Sequence, residues 1–221
     1  MSWESTVTYY QIVNEVINEQ LGGLHSAKVL LYSVDFQEIE QYQTDGEWGE
    51  SADILSTAAR HLEQAGADFI VICTNTMHKV APEIQSRLHI PILHIAEATA
   101  EQLLEHQIHT VALLGTKYTM QQDFYKDKLI SAGIQVIIPA DTDAELVNRV
   151  IFDELCRGII SPKSKDDYLR IIAELQQQGA QGVVLGCTEI GLLIQQEDTP
   201  LPVFDTAQIH ARKAALYAIG Q

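Results

Sequence analysis

Two stretches in opposite halves of the chain are built alike, and this repeat limits the possible folds more than any other feature. Residues 63–76 read EQAGADFIVICTNT and residues 176–189 read QQQGAQGVVLGCTE. Each closes a helical pattern on a glycine, continues as a short β-branched apolar run, and stops in a group of small polar residues. Matching segments come next in the same order, IPILHIAEATAEQ (90–102) and LPVFDTAQIHARK (201–213). The rest of the chain keeps this alternation. Strand-like runs are expected at 27–34, 68–73, 90–95, 110–116, 134–139, 181–187 and 201–206. They are nearly continuous apolar runs, as parallel strands covered on both faces require. Residues 51–66 and 166–180 carry a helical apolar stripe closed by a glycine, the first opened by Ser51 as a capping residue. The expected fold class is α/β, with mainly parallel sheets in two related lobes that face each other across a cleft. The expected division is 1–106 for lobe one and 107–206 for lobe two, with 207–221 able to pack back on lobe one.

Composition narrows the function. Of 221 residues 46% are hydrophobic, enough for a core, and the formal net charge is −16. A chain this acidic lacks the basic footprint that nucleic acid or an anionic membrane demands, so neither is expected as a partner. No apolar stretch reaches membrane-spanning length, and the opening MSWESTVTYY has no basic segment followed by an apolar block. The expected setting is the cytoplasm. Three cysteines, Cys73, Cys156 and Cys187, do not make a disulfide framework, and the eight histidines lack the spacing of a helical metal site.

In parallel sheets ligands bind beyond the carboxyl ends of the strands. CTNT (73–76) and GCTE (186–189) fall there, each before an expected helix. Free N–H groups at a helix start attract a carboxylate and lower the pKa of a nearby thiol, so the Cys187 thiol is expected to titrate toward neutrality. Acid and base groups on opposite sides of a bound carbon suit removal of a proton from one face and return to the other. Cys156, in FDELCRGI, reads as a small core residue, as does Cys73 inside its apolar run.

MSWESTVTYY at the start, CTNTMH, ALLGTKYTM and GCTEIGLL run in order over almost the whole chain. With these pieces the sequence resembles the aspartate/glutamate racemase superfamily, in its broad aspartate racemase-like branch. The resemblance implies two lobes related by a pseudo-twofold, a homodimer, an amino acid as the small-molecule partner, and racemisation with no cofactor, pyridoxal phosphate included. Two thiols normally work on opposite faces of the α-carbon. In lobe one the family pattern is Cys-Asn-Thr, and here Thr74 precedes Asn75-Thr76. The resemblance therefore implies Thr74 and Cys187 as the acid/base pair, with Cys73 turned into the packing. An alcohol ionises far less readily than a thiol, so Thr74 needs a relay such as His78, and the two directions are expected to be unequal. The resemblance further implies that Asn75, Thr76 and Thr188 hold the α-carboxylate or α-amino group, and that Glu189 orients the ammonium or tunes the thiol. Thr116 and Thr119 would close the site from lobe two, and Ser2 and Thr6 from lobe one.

The sequence departs from the family in two further ways. Members strict for aspartate place basic residues where this chain has none between 33 and 48, and Cys156 stands in the expected lysine slot. A neutral or broader substrate is as well supported as aspartate or glutamate, with Gln43 a candidate side-chain contact and Arg157 and Lys163 the remaining cations. In addition, lobe two opens with a strand and a loop, whereas lobe one opens on the loop alone. The expectation is a lobe one short of its first strand, with Met1 an internal methionine of a product about ten residues longer. Other functions on the same lobes are an arylmalonate decarboxylase, a maleate isomerase or a hydantoin racemase. An amino-acid-binding pseudoenzyme is the alternative outside catalysis.

Overall fold

The computed structural model describes residues 1–220 and divides into two compact α/β units. Unit 1 comprises Met1–His94 and the chain from Ala211 onward, and unit 2 comprises Ile95–His210. Unit 1 contains helices α1 (Trp3–Leu21), α2 (Phe36–Asp45) and α3 (Trp48–Gln64), strand β1 (Ile70–Val71), helix α4 (Ala81–Gln85) and strand β2 (Ile92–Leu93). Unit 2 begins with α5 (Ile95–Glu105), β3 (Thr110–Gly115), α6 (Lys117–Gln121), α7 (Asp123–Ser131), β4 (Gln135–Ile137) and α8 (Asp141–Asp153). It continues with α9 (Pro162–Gln177), β5 (Gly182–Gly186), β6 (Val203–Asp205) and the start of α10 (Thr206–Ala218).

The unit boundary lies at His94/Ile95, not between 106 and 107 as the sequence reading placed it. The cause is α5. Its Ile95, Ala96, Ala100 and Leu103 are buried with Val111, Leu113, Tyr125 and Leu129, which fixes the helix to the core of unit 2. Residues from Ala211 onward contribute to unit 1: Ala215 packs with Val16 and Ile17, and the rings of Tyr217 and Phe69 meet edge to face at 5.1 Å.

The repeat seen in the sequence is also present in the hydrogen bonding. Helix α3 ends at Gly66 (φ 94°), where Ala67 N–H donates to the Leu62 carbonyl at 3.1 Å. Helix α9 ends at Gly179 (φ 107°), where Ala180 N–H donates to Leu175 at 3.1 Å. Both are left-handed glycine stops that satisfy a carbonyl of the last helical turn. The strands after these stops pair alike. Ile70 N–H donates to the Pro91 carbonyl at 2.8 Å, and Val183 N–H to the Pro202 carbonyl at 2.9 Å. Ile70 pairs with Ile92 as Val183 pairs with Val203. On this register Thr74 corresponds to Cys187, and Cys73 to Gly186.

The sheets differ in size. Unit 2 has four parallel strands in the order β4-β3-β5-β6. Its core holds Leu114, Val183 and Leu185 on one side, against Val147, Ile171 and Leu175 of α8 and α9. On the other side Val111, Leu113 and Val184 meet α5 and α7. Helix α9 is built for this position: Ser161 accepts from Ser164 N–H at 3.4 Å, Pro162 opens the helix, and Tyr168, Ile171, Ile172 and Leu175 form its buried stripe. Unit 1 has β1 and β2 alone among the described residues. The strand expected over 27–34 is not formed, and the expected strand over 68–73 shortens to two paired residues. A parallel strand needs a hydrogen-bonded neighbour. In unit 2 the counterpart of 27–34 is β4, which leans on β3, and unit 1 shows no counterpart of β3 among the described residues.

Asp205 ends β6 and caps α10, its Oδ1 accepting from Ala207 N–H at 2.8 Å and Gln208 N–H at 3.3 Å. Burial pushes its carboxyl up to about 6, against those two bonds. The folded protein thus holds this proton to a higher pH than the unfolded chain. The contribution is fully present below about pH 4 and lost as pH rises toward 6, a swing of up to roughly 3 kcal/mol. Relative to the parent, Asp205→Asn should gain stability between pH 4 and pH 7. Urea denaturation of both proteins at the two pH values measures it.

Candidate active site

Strand β5 delivers Cys187 through a tightly packed glycine. A Cβ on Gly186 would lie 2.8 Å from Leu113 Cδ1, 2.9 Å from the Leu114 carbonyl oxygen and 3.2 Å from Thr119 Cγ2. One on Gly115 would lie 2.7 Å from the Gly186 carbonyl oxygen. Only glycine lets β3 and β5 run this close at the strand ends. Beyond them, Thr116 caps α6: its Oγ1 accepts from Thr119 N–H at 3.3 Å and lies 3.3 Å from Thr119 Oγ1. Both threonines are buried beside the last residues of β5.

Cys187 is 8% exposed. Its thiol donates to Glu189 Oε2 at 3.0 Å, and Thr188 Oγ1 donates to the same oxygen at 2.9 Å. Glu189 itself is 2% exposed. The thiol pKa lies well above its ordinary value, first because burial penalises the thiolate, then because of the Glu189 charge, with Cys156 adding to the same direction. This reverses the expectation from the sequence. No α-helix starts at Cys187; the chain makes only a three-residue 3-10 turn beyond it, Ile190–Leu192. One such turn aligns too few peptide dipoles to offset burial and a neighbouring carboxylate.

In unit 1, Thr74 holds the position of Cys187. Its N–H donates to the Ile72 carbonyl at 2.8 Å, and the chain then enters a 3-10 helix, Thr76–Val80, again not an α-helix. Asn75 and Thr76 are buried, and the Asn75 carbonyl accepts from His78 N–H at 3.0 Å. His78 Nδ1 lies 2.8 Å from the Thr74 carbonyl oxygen. A carbonyl only accepts, so Nδ1 carries the proton. This bond ties the ring to the Thr74 main chain, whereas the sequence reading had it relay to the Thr74 hydroxyl. The His78 ring stacks at a tilt on His94, 4.5 Å between centroids. Cys73 keeps its proton: burial pushes the thiol up to about 11, and its Sγ donates to the Val71 carbonyl at 3.8 Å.

Ser2 caps α1, its Oγ accepting from Ser5 N–H at 3.2 Å, while Ser5 Oγ donates to the Cys73 carbonyl at 3.4 Å. Thr6 Oγ1 turns back to the Ser2 carbonyl at 3.3 Å. Gln43, on α2, is 4% exposed with Nε2 3.9 Å from Met77 Sδ. Each unit thus gathers its own set: Ser2, Thr74, Asn75 and Thr76 near the end of β1, and Cys187, Thr188, Glu189, Thr116 and Thr119 near the end of β5. Arg157 and Lys163 are solvent-exposed.

The sequence reading did not assign three residues the part they have here. Ser5 ties α1 to the end of β1. Cys156 packs against the cluster that contains Cys187 and acts on its charge. Tyr168, whose hydroxyl donates to the Val147 carbonyl at 2.9 Å, lies within electrostatic range of Cys187, Cys156 and Glu154. None stands at a fixed spacing from a motif, so only the fold brings them to the site. No helix among the described residues is long and apolar enough to cross a membrane.

The profile of the Asp/Glu/hydantoin racemase family matches residues 1–214. A solved structure named for the Asp/Glu racemases, from Yersinia pestis, is 56% identical, with a TM-score of 0.92 over 99% of this chain and 96% of that one. PH1733, an aspartate racemase homologue from Pyrococcus horikoshii OT3, is 37% identical, with a TM-score of 0.84 over 99% and 95% of the two chains. The broad specificity amino-acid racemase RacX of Bacillus subtilis is 28% identical over 154 residues, which span 68% of this chain and 65% of RacX.

Proposed function

From the premise that the chain belongs to the Asp/Glu/hydantoin racemase family, we propose that it racemises amino acids without a cofactor. Cys187 and Thr74 exchange the α-proton on opposite faces of the α-carbon. The observation that carries this reading is the buried Cys187–Glu189 pair, a thiol donating to a carboxylate at 3.0 Å.

That pair holds one proton and one negative charge in a desolvated setting. With the proton on sulfur, Cys187 is an acid ready to reprotonate a carbanion. When a substrate ammonium approaches, its positive charge favours the thiolate, and Glu189 is close enough to take the thiol proton. The thiolate then removes the α-proton of the enantiomer presented to it. Asn75, Thr76 and Thr188 bind the α-carboxylate or α-amino group, and Thr116, Thr119 and Ser2 enclose the substrate.

Thr74 is the weaker member. Its alcohol ionises far less readily than a thiol, so it gives up or takes a proton only where a neighbouring group relays that proton. The reaction should therefore run faster from the enantiomer that Cys187 deprotonates. Gln43 is an uncharged side-chain contact, and the candidate cations read from the sequence, Arg157 and Lys163, are exposed, which favours a broad or neutral substrate set over strict aspartate. The working protein is a cytoplasmic homodimer.

The test is α-deuteration of a panel of L- and D-amino acids in deuterated water. The expected result is exchange with one enantiomer of a pair faster than the other, reduced by Thr74→Ala and little changed by Cys73→Ala. Consumption without α-exchange would instead make the protein a decarboxylase or isomerase built on these lobes. Binding with neither would make it a sensor.

A further inference from the structure

Unit 2 holds a cavity of about 350 Å³ that none of the proposed acid/base or substrate-binding residues lines. It lies along β6, the outer strand of the sheet, between the end of α5, the start of α10 and the segment 194–196. We infer that this cavity binds a small organic amine as its ammonium, with the Asp205 carboxylate as countercharge and an apolar wall for the hydrocarbon part. The inference is independent of the reading of function.

Asp205 sets the cavity apart. Its Oδ1 is committed to the Ala207 and Gln208 N–H groups at the start of α10. Its Oδ2 makes no hydrogen bond or ion pair with any described residue. A Cβ on Gly191 would collide with this oxygen, so the absence of a side chain at 191 is what leaves room for it. No lysine or arginine lines the cavity. The carboxyl is thus desolvated with no cation beside it, and burial pushes it up to about 6. At neutral pH it is still mostly ionised. Buried charges are paired as a rule, and this one lines a cavity instead of meeting a cation.

The other lining groups set the class of cation. His106 Nδ1 lies 2.9 Å from the Gln102 carbonyl oxygen, which only accepts, so Nδ1 carries the proton and Nε2 of the neutral ring is an acceptor. An ammonium offers three N–H donors, enough for Asp205 Oδ2, such a ring nitrogen and water. Ile194, Phe204 and Ile209 supply apolar surface for a short hydrocarbon chain. A zwitterionic amino acid would need a cationic partner for its carboxylate, which the lining does not provide, so an amine without a carboxylate fits better. A metal ion fits poorly too, because no three His, Cys, Asp or Glu groups among the described residues are placed to hold one. The volume is near the lower end of the usual range for ligand pockets, roughly 300–1,000 Å³, which keeps the ligand small.

The walls are held in place by their own bonds. Gln196 Oε1 accepts from Val203 N–H at 2.9 Å, and its Nε2 donates to the Leu201 carbonyl at 3.1 Å. The His106 and Phe204 rings meet edge to face at 5.6 Å. The net charge of −16 draws cations toward the whole surface, so the test must separate a site from that general attraction.

The test is a titration with butylammonium chloride, followed by the amide proton and nitrogen shifts of Ala207 and Gln208. These two amides report on the Asp205 carboxyl directly. Saturable shifts are expected in the parent protein. Asp205→Asn keeps an oxygen to cap α10 and removes the charge, and it should weaken binding at least tenfold while the protein stays folded. Butanol, the same chain with a neutral head, should give no saturable shift. No saturation with butylammonium in the parent would overturn the inference, as would equal binding by Asp205→Asn or by butanol. Sodium chloride at the same concentration producing the same shifts would overturn it too, since the cavity would then hold a simple counterion.

Discussion

Replacing Cys187 with serine should lower α-proton exchange by about a hundred- to ten-thousandfold, the usual contribution of a positioned acid/base group. The substitution keeps the size of the side chain and a hydroxyl that can still donate to Glu189 Oε2, so Tm should stay near the parent value. It removes the ability to form an anion. An alcohol ionises several units above a thiol, and the same burial and the same Glu189 charge that raise the Cys187 pKa would act on serine too. On the proposed mechanism both enantiomers should suffer, because Cys187 would be base for one and proton donor for the other. The base direction should suffer more. Initial deuterium incorporation from each enantiomer measures the asymmetry. A serine variant with near-parental exchange would remove Cys187 from the mechanism.

Glu189→Gln should make the Cys187 thiol more acidic and yet lower exchange. The Cys187 thiol is held high partly by the Glu189 charge, so an uncharged amide should shift the pH midpoint of Cys187 alkylation downward. Burial remains, so the midpoint should not reach that of a free thiol. Exchange activity at neutral pH should nevertheless fall at least tenfold, since the amide can accept a hydrogen bond from the thiol but cannot take its proton, and the substrate ammonium would lose a buried countercharge. Site-resolved mass spectrometry separates Cys187 from Cys73 and Cys156. A merely structural Glu189 would lower stability and leave the alkylation midpoint where it was.

The alternation of strand and helix and the parallel sheets were legible in the sequence because each element repeats a local rule. Gly66 and Gly179 stop their helices by the same bond, and Pro91 and Pro202 fix the same strand register. The correspondence of Thr74 with Cys187 comes from that register. Three things were not legible, each for a physical reason. Residues 27–34 have the composition of a strand, but a strand exists only with a partner, and composition does not report the partner. The boundary moved to His94 because α5 carries an apolar face whose choice of core depends on contacts distant in sequence, such as Tyr125. The Cys187 pKa had the wrong direction because the polar cluster was read as a helix start. The chain makes a single 3-10 turn there, and the adjacent glutamate proved to be the hydrogen-bond acceptor of the thiol.

Unit 1 draws on both ends of the chain, whereas unit 2 is one unbroken segment. During synthesis, unit 2 has all its strands once residue 205 has left the ribosome. Unit 1 must wait for Ala215 to cover Val16 and Ile17 and for Tyr217 to reach Phe69. Residues made early are thus among the last to be sealed. Until then the unfinished half leaves Val16, Ile17 and Phe69 without their cover, and the last helix acts as its latch. A stop codon at 211 would leave the whole of unit 2 intact and yet release the half of the protein that was synthesised earlier.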